Sequence, residues 1–152
     1  MIIKKRIDEL NIELPPFNKA AANYSPAVKS GNLIYTAGQT PKYKGVLQYK
    51  GALNDLNYSE GIKAAELCVL NCLSIIQEYA NGLDNIEQIV KVSGFINADP
   101  DFTKHAIVLD GATNLLVKVF GDKGRPARSA VGMSSLPGNA MIEIEMVVEL
   151  KS

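Results

Sequence analysis

Two groups able to do chemistry lie close together near the C-terminal end of the sequence. Arg128 belongs to Gly124-Arg125-Pro126-Ala127-Arg128-Ser129-Ala130. Glu143 follows fifteen residues later in Ile142-Glu143-Ile144-Glu145, beyond a Leu136-Pro137-Gly138 turn. A guanidinium is a planar fork that grips a carboxylate through two parallel hydrogen bonds. A glutamate that reaches the reacting atoms with a pKa near working pH can orient a water or carry a proton. An arginine on one strand and a glutamate on the next therefore predict a carboxylate clamp and a proton carrier near each other, the parts of a site for a small organic acid. Glu145 and Glu149 read as solvated, and Arg125 as an ordinary loop residue.

The remaining reactive residues point elsewhere. His105, the single histidine, reads as solvated near a helix start. Cys68 and Cys72 are one helical turn apart and read as buried thiols rather than a disulfide. They have no third or fourth ligand nearby in sequence, so no metal site is expected. Gly121-Asp122-Lys123-Gly124 is short and follows a helix, not a strand, so it is not a phosphate-cradling loop. Sixteen basic residues balance sixteen acidic ones, which gives no global electrostatic drive toward nucleic acid or anionic lipid. That balance, and the lack of paired histidines or a metal cluster, argues against a ribonuclease. No apolar run approaches the roughly 18–20 residues of a membrane span. Met1-Ile2-Ile3-Lys4-Lys5-Arg6 is not followed by an apolar h-region. A cytoplasmic location is expected, with neither membrane nor nucleic acid as a partner.

The elements that must position Arg128 and Glu143 follow from periodicity. The 152 residues suggest a single domain, 1–152, with 1–16 as an N-terminal extension. A short helix is expected over 2–12, with Ile3, Ile7 and Leu10 on one side, ended by Pro15-Pro16. Residues 24–29 and 32–37 flank Gly31-Asn32 and read as a β-hairpin. A long loop from Thr40 to Asn57 holds a short strand around Val46–Tyr49. Ile62, Ala65, Val69, Cys72, Leu73 and Ile76 repeat at helical spacing, so a helix is expected over 58–80. Asn57 and Glu60 suggest a capping box, and Asn81-Gly82 a stop. A strand is expected over 86–97, with Val90, Val92, Gly94 and Ile96 on one face and Ile89, Lys91, Ser93 and Phe95 on the other. Asp99-Pro100 reads as the start of a helix running to Phe120. Strands over 127–134 and 140–150 complete an α+β fold, a mixed sheet with two helices on one face.

Three motifs in order resemble the Rid/YjgF family of small deaminases: Asn23-Tyr24-Ser25-Pro26, the run Gly31 to Gln39, and the segment from Gly124 to Glu145. The resemblance spans about 20–150. It implies the chorismate-mutase-like fold, assembled as a homotrimer with clefts between subunits. It also implies hydrolysis of reactive 2-imino or 2-enamino acids to 2-keto acids and ammonia. Arg128 would then grip the substrate carboxylate, Glu143 would position or activate water, and Tyr24 would wall the cleft. Gly38 would let backbone approach the ligand. No cofactor is implied, because an imine is already electrophilic. The chain departs from the family at Ala37, where deaminating members carry serine, and at Ala130, where they often carry cysteine; Thr36 is expected on the opposite face and is no substitute. A non-catalytic binder of small carboxylates is the alternative. Asn97 and Asn114 are further polar candidates for the cleft. Chorismate mutase activity is suggested by fold alone, which does not carry function.

Overall fold

Strand β7 (Ile142–Leu150) alternates buried Ile142, Ile144, Met146 and Val148 with Glu143, Glu145, Val147 and Glu149, and so divides the molecule into two faces. The structure, a computed structural model, describes residues 2–17 and 22–152. Met1 and 18–21, which touch the expected single domain and its extension, lie outside the described residues. Around β7 are β1 (Ala27–Ser30), β2 (Leu33–Thr36), β5 (Ile86–Asn97) and β6 (Ala127–Met133), in the order β1-β2-β7-β5-β6. β6 runs parallel to β5 and the other pairs are antiparallel, so the sheet is mixed.

Two helices, α2 (Tyr58–Ala80) and α3 (His105–Phe120), cover one face. Cys68, Cys72 and Ile76 of α2 and Leu109 and Leu116 of α3 join Val92, Ile96, Ile144 and Met146 in the core. Gly94 of β5 admits Leu109, whose Cδ1 lies 2.6 Å from where a Cβ would stand. The two thiols are free and buried, donating weakly to the carbonyls of Ile142 and Ile144. Thr36 lies on this covered face, its hydroxyl accepting from Met146 N–H, so it is turned away from the other face. There Val28, Tyr35 and Val147 form an apolar row across β1, β2 and β7, with Val28 57% and Tyr35 44% exposed, and Phe95 lies beside Val131 toward the β6 edge. No helix among the described residues is long and apolar enough to cross a membrane.

Several local expectations are corrected by packing. The first helix, α1, spans Ile2–Glu9 and ends at Asn11, not at the prolines. Asn11 takes φ 54°, and Ile12 N–H donates to Ile7 C=O across it. The loop expected from Thr40 holds a hairpin rather than one strand, with β3 (Lys42–Tyr43) and β4 (Val46–Leu47) joined through Lys44 and Gly45, both at positive φ. Asn57 makes no side-chain cap. Its Oδ1 accepts from Asn54 N–H and its Nδ2 donates to Ala52 C=O, because the preceding loop needs those partners. A bulge between Ile89 and Lys91 shifts the alternation of β5, so Ile89 is buried like Val92 instead of sharing a face with Lys91. Finally α3 begins at His105, not at Asp99-Pro100. Asp99 N–H bonds Leu53 C=O, and Phe102 is buried against His105, so this stretch docks a loop before the helix can start.

Candidate functional site

Beyond β2 the chain continues beside β7 without joining a regular ladder. Gln39 N–H donates to Ile144 C=O at 2.8 Å and Ile144 N–H returns to Gln39 C=O at 2.9 Å. That bridge lays Gly38 across Glu143. A Cβ at position 38 would lie 2.7 Å from Glu143 Oε2, so the close approach itself requires glycine. Glu143 is half-buried, and burial pushes its carboxyl above the usual glutamate value, with the like charge of Glu145 adding to the effect.

Glu143 and Gly38 open onto a cavity of about 520 Å³. Tyr24 and Pro26, just before β1, form one wall, and Pro16 and Phe17 of the N-terminal segment another. The β3–β4 hairpin contributes Lys42 and Leu47, the loop after it contributes Lys50, and α2 contributes Asn71 and Ser74. The N-terminal segment is held there by Ser74 Oγ–H donating to Pro15 C=O at 2.7 Å.

The structure therefore brings Tyr24, Gly38 and Glu143 together. Ala37 is half-buried just outside the cavity lining, its N–H donating to Pro26 C=O. Arg128 lies elsewhere. In register with Val92 on the helix-covered face, its Nη1 is 2.9 Å from Asp110 Oδ1 and donates to Thr113 Oγ1, and its Nη2 donates to Ala106 C=O. Ala130, in register with Gly94, packs on the same face. Glu143 is in register with Phe95 on the opposite face. One chain thus does not set the guanidinium beside the carboxylate, as their closeness in sequence had suggested. Strand β5 lies between the strands that bear them, and the two side chains leave the sheet in opposite directions.

The other polar candidates are spent or remote. Asn97 is buried and donates to Asn139 Oδ1 and Ala140 C=O, holding the turn before β7. Asn114 is exposed on α3. Arg125 pairs with Asp122 at the surface, and His105 is half-buried against Phe102 rather than solvated. Lys42 and Lys50 escaped the sequence reading. Two lysines in a long loop carry no period or motif, and only the fold sets them around Glu143.

The sequence profile of the family described as "YjgF/chorismate mutase-like, putative endoribonuclease" matches residues 4–150. Protein TCP17 of Trypanosoma cruzi is 36% identical over 152 residues, covering 99% of this chain and 95% of its own. The 2-iminobutanoate/2-iminopropanoate deaminase of Dermatophagoides farinae is 30% identical, over 84% of this chain and 86% of its own. Among solved structures, the Agrobacterium tumefaciens protein Atu1372, described as of unknown function, superposes with a TM-score of 0.90 at 40% identity, covering 99% of this chain and 93% of that one.

Proposed function

Because this chain belongs to the YjgF/chorismate mutase-like family, we propose that it hydrolyses small 2-imino acids to 2-keto acids and ammonia, in a cleft that two copies of the chain complete together. The observation that carries this reading is the Glu143 carboxylate held against the Gly38 backbone at the mouth of a cavity, with its pKa raised by burial. A raised pKa makes it a better acceptor for a proton from water. Water adds to the electrophilic imine carbon while Glu143 takes one of its protons. Nitrogen receives that proton, which gives the tetrahedral carbinolamine; Glu143 then takes the hydroxyl proton and passes it to the amine as the C–N bond breaks, so the carbonyl of the 2-keto acid forms, ammonia leaves and the carboxylate is regenerated. One relative is named for this reaction.

Arg128 supplies the carboxylate clamp from a second copy. It stands on β6, the edge strand of the sheet, whose far side pairs with no strand among the described residues, so its edge can meet a neighbour. Side-on approach to a guanidinium uses Nε and one Nη, which leaves the Asp110 contact of Nη1 intact. The assembly we assign is a homotrimer, which would cover the apolar stretch around Tyr35 and Val147. A non-catalytic binder is the second reading. It is favoured by Ala37, which offers only a methyl group and whose backbone N–H and C=O already serve Pro26 and Gln39.

Subunit complementation tests the proposal. Arg128→Ala and Glu143→Gln should each lose release of ammonia from enzymatically generated 2-iminobutanoate. Unfolding and refolding the two together should restore roughly a quarter of wild-type activity, since random mixing leaves about one cleft in four with both residues. Failure of the wild type to turn the imine over would favour the binder. Full activity of either single variant would remove that residue from the mechanism.

A further inference from the structure

The cavity beside Glu143 is larger and more cationic than a three- or four-carbon imino acid requires. About 520 Å³ falls within the roughly 300–1,000 Å³ that encloses drug-sized ligands. Among its lining residues Glu143 is the one acid, against Lys42 and Lys50. The lining is therefore net positive even with Glu143 ionised. No ion pair among the described residues involves either lysine. We propose that the substrate carries a second carboxylate on its side chain, and that Lys42 and Lys50 receive it while Glu143 faces the imine carbon. This assignment rests on the imine-hydrolase reading and names the substrate class within it.

Three further observations support the placement. First, the backbone under both lysines is tied to the body of the protein. Lys42 C=O accepts from Asn71 Nδ2 of α2 at 2.9 Å, and β3 is paired with β4. Lys50 bridges to Ala140, and the neighbouring Gly51 N–H donates to Asn139 C=O at 2.9 Å. Secondly, the neutral donors of the α2 wall are already used. Ser74 serves Pro15 C=O, and the Asn71 amide serves the carbonyls of Thr40 and Lys42. The two ammonium groups, with the hydroxyls of Tyr24 and Thr40, remain to meet an anion. Thirdly, Pro16 and Phe17 add apolar surface to the same lining, against which the methylene chain of a longer substrate can lie.

The test compares two imines and two stable product acids. The imines of glutamate and of 2-aminobutanoate are generated by amino acid oxidases, and ammonia release is followed with wild type and with the Lys42→Met/Lys50→Met variant. Both lysines are exposed, and circular dichroism checks that the variant folds. Wild type should favour the dicarboxylic imine by at least tenfold in kcat/KM, and the variant should lose that ratio. Calorimetry should show 2-oxoglutarate binding at least tenfold tighter than 2-oxobutanoate to wild type, with the difference gone in the variant. Equal handling of the two acids by wild type, or a preference that survives the double substitution, overturns the assignment. Turnover of neither imine defeats the hydrolase reading instead, and the calorimetric ratio then still decides whether the lysines select dicarboxylates.

Discussion

A carboxylate oxygen 2.7 Å from the point where a Cβ would stand leaves position 38 to glycine. Gly38→Ala should push the Glu143 carboxylate aside, and a misplacement of about 1 Å in a reacting group costs on the order of 100-fold. We expect kcat/KM for 2-iminobutanoate to fall at least tenfold. The melting temperature should change little, because the displaced atoms are the free end of a flexible side chain. An alanine variant with wild-type kinetics would mean that Glu143 does not act from this position. The raised pKa of Glu143 gives a second expectation. A carboxyl whose folded pKa lies above its unfolded one binds more protons in the folded state. Stability then falls as pH rises from the ordinary value of 4.5 through the folded pKa. Glu143→Gln removes that slope. Thermal melts across pH 4.5–8 should show the variant gaining on wild type as pH rises, while its turnover is lost. Parallel melting curves would place Glu143 in ordinary solvent.

At the scale of elements, the contact that sets the helical layer is the approach of α3 to α2. A Cβ at Gly111 would strike the Ile62 carbonyl, which is backbone and cannot swing away. Gly111→Ala should therefore force the helices apart and destabilise by about 1–3 kcal/mol despite alanine's better helix propensity. Urea denaturation monitored by circular dichroism reads this as a lower midpoint at unchanged slope. A stabilised variant would mean that α2 and α3 are less closely packed than described. The same helix carries Asp110, Thr113 and Ala106, which hold Arg128, so the spacing of α3 from the sheet also sets where that guanidinium sits. That pair is partly exposed, 27% for Arg128 and 49% for Asp110, and adds at most about 1 kcal/mol to stability. Its consequence is orientation.

For the whole molecule, the uncovered sheet face decides what the chain does next. Tyr35, Val28 and Val131 are each more than two-fifths exposed on one surface, and exposed apolar patches of this kind mark association sites. Light scattering should give three times the 16.4 kDa of one chain at micromolar concentration. A single-chain mass would remove the shared cleft, and with it the role of Arg128 opposite Glu143.

Period and punctuation in the sequence were enough for the long elements. The apolar repeat of α2 and its Asn81-Gly82 stop, and the alternation of β7, are local patterns that any core would read the same way. The motifs around Tyr24, Gly38, Arg128 and Glu143 likewise marked the family to which the chain belongs. Local pattern misplaced the ends where a distant partner intervened: Leu53 and the core claimed Asp99 and Phe102 before α3, and the loop claimed the Asn57 side chain. Tertiary structure alone decided the site. A period of two says that Glu143 and Ile144 face opposite ways, and that Arg128 and Ala130 face the same way. It does not say which face the helices cover, nor that β5 lies between the strands bearing Arg128 and Glu143. Strand order and helix placement are set by burial summed over the whole chain. Fifteen residues of sequence therefore separate two groups that the sheet sends to opposite faces, while Lys42 and Lys50, more than ninety residues before Glu143, join it in the lining of one cavity.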